Sequence, residues 1–387
     1  MAIQMIDLLA QRARIKERLD AAIEAVLESG AFVMGPQICA LEEALSAFTG
    51  AGRTLTCANG TDALLLPLLA WGVGEGDAVF CPSFTFVATA EIIAWLGATP
   101  VFVDILPDTY NIDPDHLDRE IARVRREGAL APKAVIAVDL FGQLADYPRL
   151  AGIARKHGLK LVSDNAQGFG ATLAGAHPIK WADVVTTSFY PAKPLGCYGD
   201  GGAVQTDDAA LWDVMDSLRI HGKATSRDAE GRDFAHDPKY LNLRVGLNSR
   251  LDTIQAAILL EKLAIFPDEI LRRQTVARRY NEGLKGAVLK TPILRDGAVS
   301  VWAQYTIEAD NRDGLAAGLK SGGVPTAVYY PVPMHRQAPY RRFAAGALPV
   351  TEAKAETVIS LPMHAYLDEK TQDRIIEAVR AFAGRAA

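Results

Sequence analysis

Apolar and polar positions alternate in blocks along most of the chain. Continuous Val/Ile/Leu runs such as PVFVDI (100–105), KAVIAVDL (133–140) and LKLVSD (159–164) predict strands that are buried on both faces. Segments with helical spacing, for example 113–125 and 146–157, separate these runs. Strands that alternate with helices in this way predict an α/β fold with a mostly parallel sheet that is covered by helices on both faces.

The same pattern predicts the individual elements. The predicted strands are 53–57, 78–81, 100–105, 133–140, 159–164, 183–189, 201–205, 301–308 and 358–361. The predicted helices are 15–29, 62–71, 83–96, 113–125, 146–157, 208–219, 251–263, 269–283 and 370–382, and Thr61 is the expected N-cap of the second.

Two domains are expected from this order of elements. We predict a large domain over 1–255, which includes the N-terminal helix, and a smaller C-terminal α/β domain over 256–387. Segment 222–240 is polar and lacks periodicity, which predicts a long loop. A loop of this length inside a compact domain is often a functional lid or contact loop.

Composition narrows the classes of function. With 41 basic and 46 acidic side chains the net charge is −5, which argues against a nucleic-acid-binding protein. The longest apolar run, 63–71, is too short to cross a bilayer, so no membrane association is expected. The four cysteines form no CxxC pair and the seven histidines no metal-binding pattern. These features predict a cytoplasmic protein without a metal centre.

One turn carries the strongest chemical signal. In SFYPAKPLGCYGDGG (188–202), Lys193 lies five residues after Ser188, which ends an apolar run, and has no acidic neighbour in sequence before Asp200. A lysine placed in this way can act as a nucleophilic amine that holds a carbonyl cofactor as a Schiff base. The turn by itself is equally compatible with an ordinary surface lysine among glycines and prolines.

Other polar residues also follow predicted strands, where ligands bind in α/β sheets. Gly60 and Thr61 begin a helix whose backbone amides could bind phosphate, although a simple helix cap is an alternative. Phe86 follows the second strand, and Asp164 ends the LKLVSD strand, where a carboxylate is costly unless it meets a cation. Pyridoxal phosphate needs a lysine, an acid for its ring nitrogen, a stacking aromatic and a phosphate cup together.

Two other nucleotide-dependent classes fit less well. The chain has no GxxxxGK[ST] phosphate loop, so a nucleoside triphosphatase is not expected. A nicotinamide-dependent sugar dehydrogenase would fit the α/β pattern, but the glycine-rich stretch 72–76 follows a helix instead of a strand. That class would also leave Lys193 and Asp164 without a role.

Eight stretches in order resemble the DegT-type sugar aminotransferases, which are pyridoxal-phosphate enzymes with the aspartate-aminotransferase fold (fold type I). The stretches are IDLLAQ (6–11), CANGTDAL (57–64), PSFTFVATAE (82–91), DNAQGFGA (164–171), SFYPAKPLGCYGDGGA (188–203), GLNSRLDTIQAAIL (246–259), YYPVPMHRQ (329–337) and SLPMHAYL (360–367). They span nearly the whole chain.

The resemblance implies a cofactor role for several residues. Lys193 would bind the aldehyde of pyridoxal phosphate, Asp164 would pair with the ring nitrogen, and Gln167 would meet the ring hydroxyl. Phe86 would stack on the ring. The residues that would hold the phosphate are Gly60, Thr61 and Ser188.

Further residues are implied in assembly and in substrate binding. Asn248 would reach the cofactor phosphate of a partner subunit, which implies a homodimer with shared active sites. Arg250 is the candidate for binding a carboxylate, because its guanidinium forms two parallel hydrogen bonds with one. Its alternative is a surface arginine at a helix start. Tyr330 and His335 are candidates for the sugar site, and a lone histidine is equally compatible with a structural role.

Family members of this kind transfer the amino group of L-glutamate to a keto-sugar nucleotide. KPLGCYGDGGA and VGLNSRLD are most similar to members that act on UDP-linked 3-oxo-N-acetyl hexuronates in surface-polysaccharide (O-antigen-type) biosynthesis. Amination at carbon three or four of a dTDP-, GDP- or UDP-linked keto-deoxysugar is the alternative, and a non-catalytic pyridoxal-phosphate-binding regulator is an alternative of another class. Asn165 stands where the family usually has alanine, and the 222–240 loop is longer than in similar members.

Overall fold

A seven-stranded sheet forms the centre of the computed structural model, which describes residues 2–225, 228 and 240–386. The strands of this sheet are β1 (Arg53–Cys57), β2 (Asp77–Pro82), β3 (Thr99–Val103), β4 (Ala131–Val138), β5 (Lys160–Asp164), β7 (Val184–Ser188) and β8 (Gly202–Thr206). Their order in the sheet is β1-β8-β7-β5-β4-β2-β3, and only β8 runs antiparallel to its neighbours. The predicted α/β class with a mostly parallel sheet is confirmed.

Helices flank the sheet on both faces. The helices in the described part of the chain are α1 (Leu8–Ser29), α2 (Pro36–Thr49), α3 (Gly60–Ala70), α4 (Ala88–Trp95), α5 (Pro114–Glu127), α6 (Tyr147–His157), α7 (Ala209–Arg219), α8 (Thr253–Leu263), α9 (Phe266–Gly283), α10 (Arg312–Ser321), α11 (Pro349–Thr357) and α12 (Glu369–Ala386), of which the last three lie in the C-terminal region. One apolar core lies between the sheet and α5 and α6, and others lie under α3, α4 and α7. The strands are apolar on both sides because each side is covered.

A second, smaller sheet belongs to the C-terminal region. It pairs β10 (Tyr305–Glu308) with β11 (Val358–Leu361) in antiparallel register, and a short pair joins β6 (Thr172–Leu173) to β9 (Ala298–Val299). Its core draws on α9 from Val276 onward, together with α10 and α12. Helix α8 packs instead on α1 and α2. The domain boundary at 255/256 stays a prediction, and it falls inside α8.

Some element boundaries differ from the prediction for local reasons. Helix α1 begins at Leu8 because the Asp7 side chain accepts a hydrogen bond from the Ala10 amide, at 2.8 Å. The N-cap of α3 is Asn59 and not Thr61, since the side-chain Oδ1 of Asn59 accepts a hydrogen bond from the Asp62 amide at 2.8 Å. Helices α2, α10 and α11 were not predicted.

The predicted helix 83–96 is shorter in the structure. It begins only at Ala88, and residues 83–87 form a bent, non-helical connection after β2. This connection leaves Thr85 and Phe86 free to line a cavity. Much of the predicted 222–240 loop, namely 226–227 and 229–239, lies outside the described residues. Within the described ranges, no helix is long and apolar enough to span a membrane.

Candidate active site

One cavity of about 570 Å³ lies where the parallel strands of the large sheet end. Eight of the sequence-predicted site residues line it: Gly60, Thr61, Phe86, Asp164, Gln167, Ser188, Lys193 and Tyr330. They come from the connections after β1, β2, β5 and β7 and from the C-terminal region. The sheet therefore brings together side chains that are far apart in sequence.

The N-terminus of α3 forms an anion-binding corner of this cavity. The first amides of a helix have no partner within the helix, and they carry the positive end of its dipole. At Gly60 an added Cβ would lie 2.6 Å from the Ser188 Cβ, so only glycine allows these two segments to approach. Thr61 and Ser188 add hydroxyl groups to the same corner. This arrangement suits a phosphate group.

Two hydrogen-bonded threonine hydroxyl groups hold the carboxylate of Asp164. Its Oδ2 accepts a hydrogen bond from Thr89 Oγ1 at 2.8 Å, and Thr85 Oγ1 lies 2.9 Å from Thr89 Oγ1. Its Oδ1 accepts from the Ala166 amide at 3.3 Å. Because Thr89 donates to Asp164, Thr85 must donate to Thr89. These hydrogen bonds fix the direction in which the Asp164 carboxylate faces the cavity.

Lys193 sits in a tight turn after β7. Its backbone amide donates to the Tyr190 carbonyl at 2.8 Å, while the described residues offer its side-chain amine no hydrogen bond. The buried lysine Lys262 secures this turn by donating to the Gly196 carbonyl at 2.6 Å. The turn is thus anchored by its backbone, and the Lys193 amine is left for the cavity.

Burial sets the protonation of the two central groups. It lowers the pKa of the Lys193 amine, and the negative charge of Asp164 opposes part of that shift. Burial also raises the pKa of Asp164, against the hydrogen bond from Thr89 and the charge of Lys193. Both shifts favour neutral forms. A cation that bound next to Asp164 would therefore stabilise the ionised form of this carboxylate and would itself be held strongly.

Aromatic side chains form the remaining walls. Phe86 is 52% exposed, and its ring centroid lies 6.4 Å from that of Tyr330. Gln167 Nε2 donates to the Tyr330 hydroxyl at 3.0 Å, while its Oε1 accepts from the Phe141 amide at 2.8 Å. The exposed ring of Phe86 is available to stack on a planar ligand.

Three predicted site residues do not line the cavity. Ser249, between Asn248 and Arg250, is fully buried and donates to Asp62 Oδ2 in α3 at 2.7 Å. The flanking Asn248 is exposed and Arg250 half-buried. His335 is buried, with Nδ1 2.7 Å from the Ser83 hydroxyl and Nε2 3.0 Å from Glu352 Oε1. Within a single subunit, His335 therefore joins the 329–337 segment to the residue that follows β2.

Sequence reasoning missed some residues that the structure brings to the site. Thr89, which binds Asp164, is absent from the prediction although it lies in the quoted PSFTFVATAE stretch. Gln304 lines the cavity, and its buried Oε1 has no hydrogen-bond partner in the described residues. Its position just before β10 gave no signal, because the fold of the C-terminal region must be known to place it.

The residues present fit the predicted pyridoxal phosphate. The glycine-lined helix N-terminus matches its phosphate, and the buried carboxylate of Asp164 matches a protonated ring nitrogen. The Lys193 amine, shifted toward its neutral form, matches an aldehyde. Within the described residues no group of His, Cys, Asp and Glu is placed to hold a metal ion.

Comparisons with known proteins agree with this geometry. Residues 13–380 match the model of the DegT/DnrJ/EryC1/StrS aminotransferase family. The UDP-2-acetamido-2-deoxy-3-oxo-D-glucuronate aminotransferase of Pseudomonas aeruginosa is 47% identical over 95% of this chain and 96% of its own length.

Solved structures give the same result. A DegT DnrJ EryC1 StrS aminotransferase from Brucella abortus superposes with a TM-score of 0.93 at 50% identity, covering 99% of this chain and all of that one. NtdA from Bacillus subtilis, solved with bound cofactor PMP, has a TM-score of 0.83 at 29% identity over 98% of this chain and 83% of its own. The family predicted from sequence is confirmed: the chain belongs to the DegT/DnrJ/EryC1/StrS aminotransferase family.

Proposed function

We propose that this protein uses pyridoxal phosphate to transfer the amino group of L-glutamate to a keto-sugar nucleotide. The observation that carries the proposal is the meeting of Lys193, Asp164 and the α3 N-terminus in one cavity. The cofactor is supported by the fit of these residues and by the PMP found in NtdA. Membership of an aminotransferase family favours an enzyme over the non-catalytic regulator.

Each residue has a stated task in this proposal. Bound pyridoxal phosphate supplies the electron sink for a carbanion at the substrate's amino carbon. Lys193 Nζ, favoured in its neutral form by burial, accepts a proton from that carbon and returns one later. Asp164 holds a proton at the ring nitrogen. Gly60, Thr61 and Ser188 bind the phosphate by their amides and hydroxyls.

We place the active site at the interface of a homodimer. Burial alternates along 248–250: Ser249 is buried, whereas Asn248 and Arg250 on either side of it are more exposed. Neither Asn248 nor Arg250 lines the cavity of the same subunit. Residues that are displayed in this way can complete the site of a second copy. Asn248 would then contact the partner's phosphate, and Arg250 would bind a substrate carboxylate.

A UDP-linked 3-oxo-N-acetyl hexuronate is the substrate we propose, in surface-polysaccharide biosynthesis. Its support is the name of the Pseudomonas aeruginosa relative and the availability of Arg250 for a sugar carboxylate. Amination at carbon three or four of another UDP-, dTDP- or GDP-linked keto-sugar is the second candidate. The four cysteines are free thiols, which supports a cytoplasmic site of action.

A panel of keto-sugar nucleotides tests the substrate. With glutamate as donor, we expect the UDP-linked 3-oxo-hexuronate to be aminated, and mass spectrometry of the product would detect the change. Carboxylate-free analogues should react far more slowly because Arg250 would lose its partner. Failure to release 2-oxoglutarate with any acceptor would contradict the aminotransferase proposal, whereas preference for a 4-keto-sugar would support the second candidate.

Replacing the site lysine tests its chemistry. Lys193→Ala should lower the turnover number at least about a thousandfold, because Lys193 is the lysine that lines the cavity among the described residues and its amine would move the proton. The visible absorbance of the bound cofactor should shift at the same time, and steady-state kinetics and spectra would measure both effects. Lys180→Ala, which changes a lysine outside the cavity, is the control. Wild-type turnover in Lys193→Ala would exclude the lysine.

The carboxylate of Asp164 is tested by an isosteric change. Asp164→Asn keeps the shape and an acceptor for Thr89 but removes the charge that would hold a proton on the ring nitrogen. We expect the turnover number to fall about a hundredfold or more, with the melting temperature little changed. If the rate stays near that of the wild type, another group partners the nitrogen.

Mixing two inactive variants tests the shared site. Lys193→Ala lacks the site lysine, and Asn248→Asp would place a negative charge against the partner's phosphate. Subunit exchange should create mixed dimers with one intact site each, restoring about a quarter of wild-type activity after random mixing. Without recovery, in a sample shown to contain mixed dimers, Asn248 does not serve the neighbouring site.

A further inference from the structure

A buried carboxylate, Asp139, lies directly after β4 and is not part of the cavity wall. It is completely inaccessible to solvent. Its oxygens accept hydrogen bonds from four groups: the Ala145 amide at 2.9 Å, the Tyr147 hydroxyl at 2.9 and 3.0 Å, the Ser163 hydroxyl at 2.9 Å and Asn165 Nδ2 at 2.6 Å. The donors come from β5, α6 and two connections.

Two of these donors flank the acid of the proposed cofactor site. Ser163 and Asn165 are the residues immediately before and after Asp164. Side chains alternate in direction along an extended strand, so the neighbours of Asp164 point away from its own carboxylate. Asp139 binds both neighbours, and its backbone amide donates to the Asp164 carbonyl at 3.0 Å. The segment that carries Asp164 is thus held on both sides and along its backbone.

No Lys, Arg or His in the described part of the chain pairs with Asp139. Burial raises the pKa of Asp139 to about 7. The titratable side chain that contacts it there is Tyr147, whose pKa burial raises well above its usual value. Its ring stacks on Trp181. A buried carboxylate without a cation is an expensive way to stabilise a fold, so a role in the geometry of Asp164 is the better account.

We propose that Asp139 is a positioning residue for the site acid: by binding Ser163 and Asn165 it fixes the backbone of Asp164 and the direction of its carboxylate. The proposal rests on the cofactor role of Asp164 in the proposed function. It also gives Asn165 a task in this chain. Loss of the hydrogen bonds from Ser163 and Asn165 to Asp139 weakens cofactor binding, because Asp164 no longer faces the ring nitrogen.

Asn165→Asp gives the sharpest test, because it replaces the donor with a second carboxylate. Two carboxylates this close share one proton, which raises the pKa of the pair. Below that pKa the shared proton restores the hydrogen bond, and above it the two negative charges repel. The measurement is the dissociation constant of pyridoxal phosphate from the cofactor-free protein, by absorbance titration at pH 6 and pH 8.5.

The expected result is a pH-dependent ratio between variant and wild type. Asn165→Asp should bind the cofactor nearly as well as wild type at pH 6 and about tenfold more weakly at pH 8.5. Asn165→Ala, which removes the bond without adding charge, should bind more weakly by a similar factor at both pH values. Asn281→Asp is the matched control, since Asn281 accepts from the Tyr305 hydroxyl in the C-terminal region, and its ratio should stay at one.

Two results would overturn the proposal: a pH-independent ratio for a folded Asn165→Asp, or wild-type affinity in Asn165→Ala. Melting curves at both pH values establish that the variants are folded, and Asn165→Ala decides alone if the charged variant does not fold. A wild-type protein that fails to bind pyridoxal phosphate would instead contradict the proposed function. The two failures are therefore distinguishable.

Discussion

The carboxyl ends of parallel strands meet at one edge of a sheet, and the site of this protein depends on that constraint. Strands β1, β2, β5 and β7 run in the same direction and deliver their following residues to one cavity. Gly60 and Lys193 are far apart in sequence, yet both line it. Strand β8 runs the other way, and it serves to join β1 to β7.

Burial gives this edge its chemistry. The same desolvation that lowers the pKa of Lys193 raises that of Asp164, so each group becomes sensitive to a partner of opposite charge. Hydroxyl groups of Thr89 and Thr85 orient the Asp164 carboxylate on one side, and behind the strand Asp139 binds the neighbouring residues Ser163 and Asn165.

Much of the fold was predictable because apolar runs that are covered on both faces leave a plain signal. All seven strands of the large sheet were predicted to within about two residues at each end. Helices α2, α10 and α11 were missed. Helix α4 was predicted too long, because the connection 83–87 is held by tertiary contacts and not by local propensity. Residues at strand ends were found, whereas Thr89 and Gln304 depend on packing between distant segments.

The buried hydroxyl of Ser249 has a consequence for assembly. It binds Asp62, so the segment that displays Asn248 and Arg250 is tied to the helix whose first turn forms the protein's own anion corner. In the proposed dimer, one rigid unit would then serve two cofactors. Cofactor occupancy and subunit association would be thermodynamically linked, so that emptying one site would loosen the other and the pair would tend to fill and empty together.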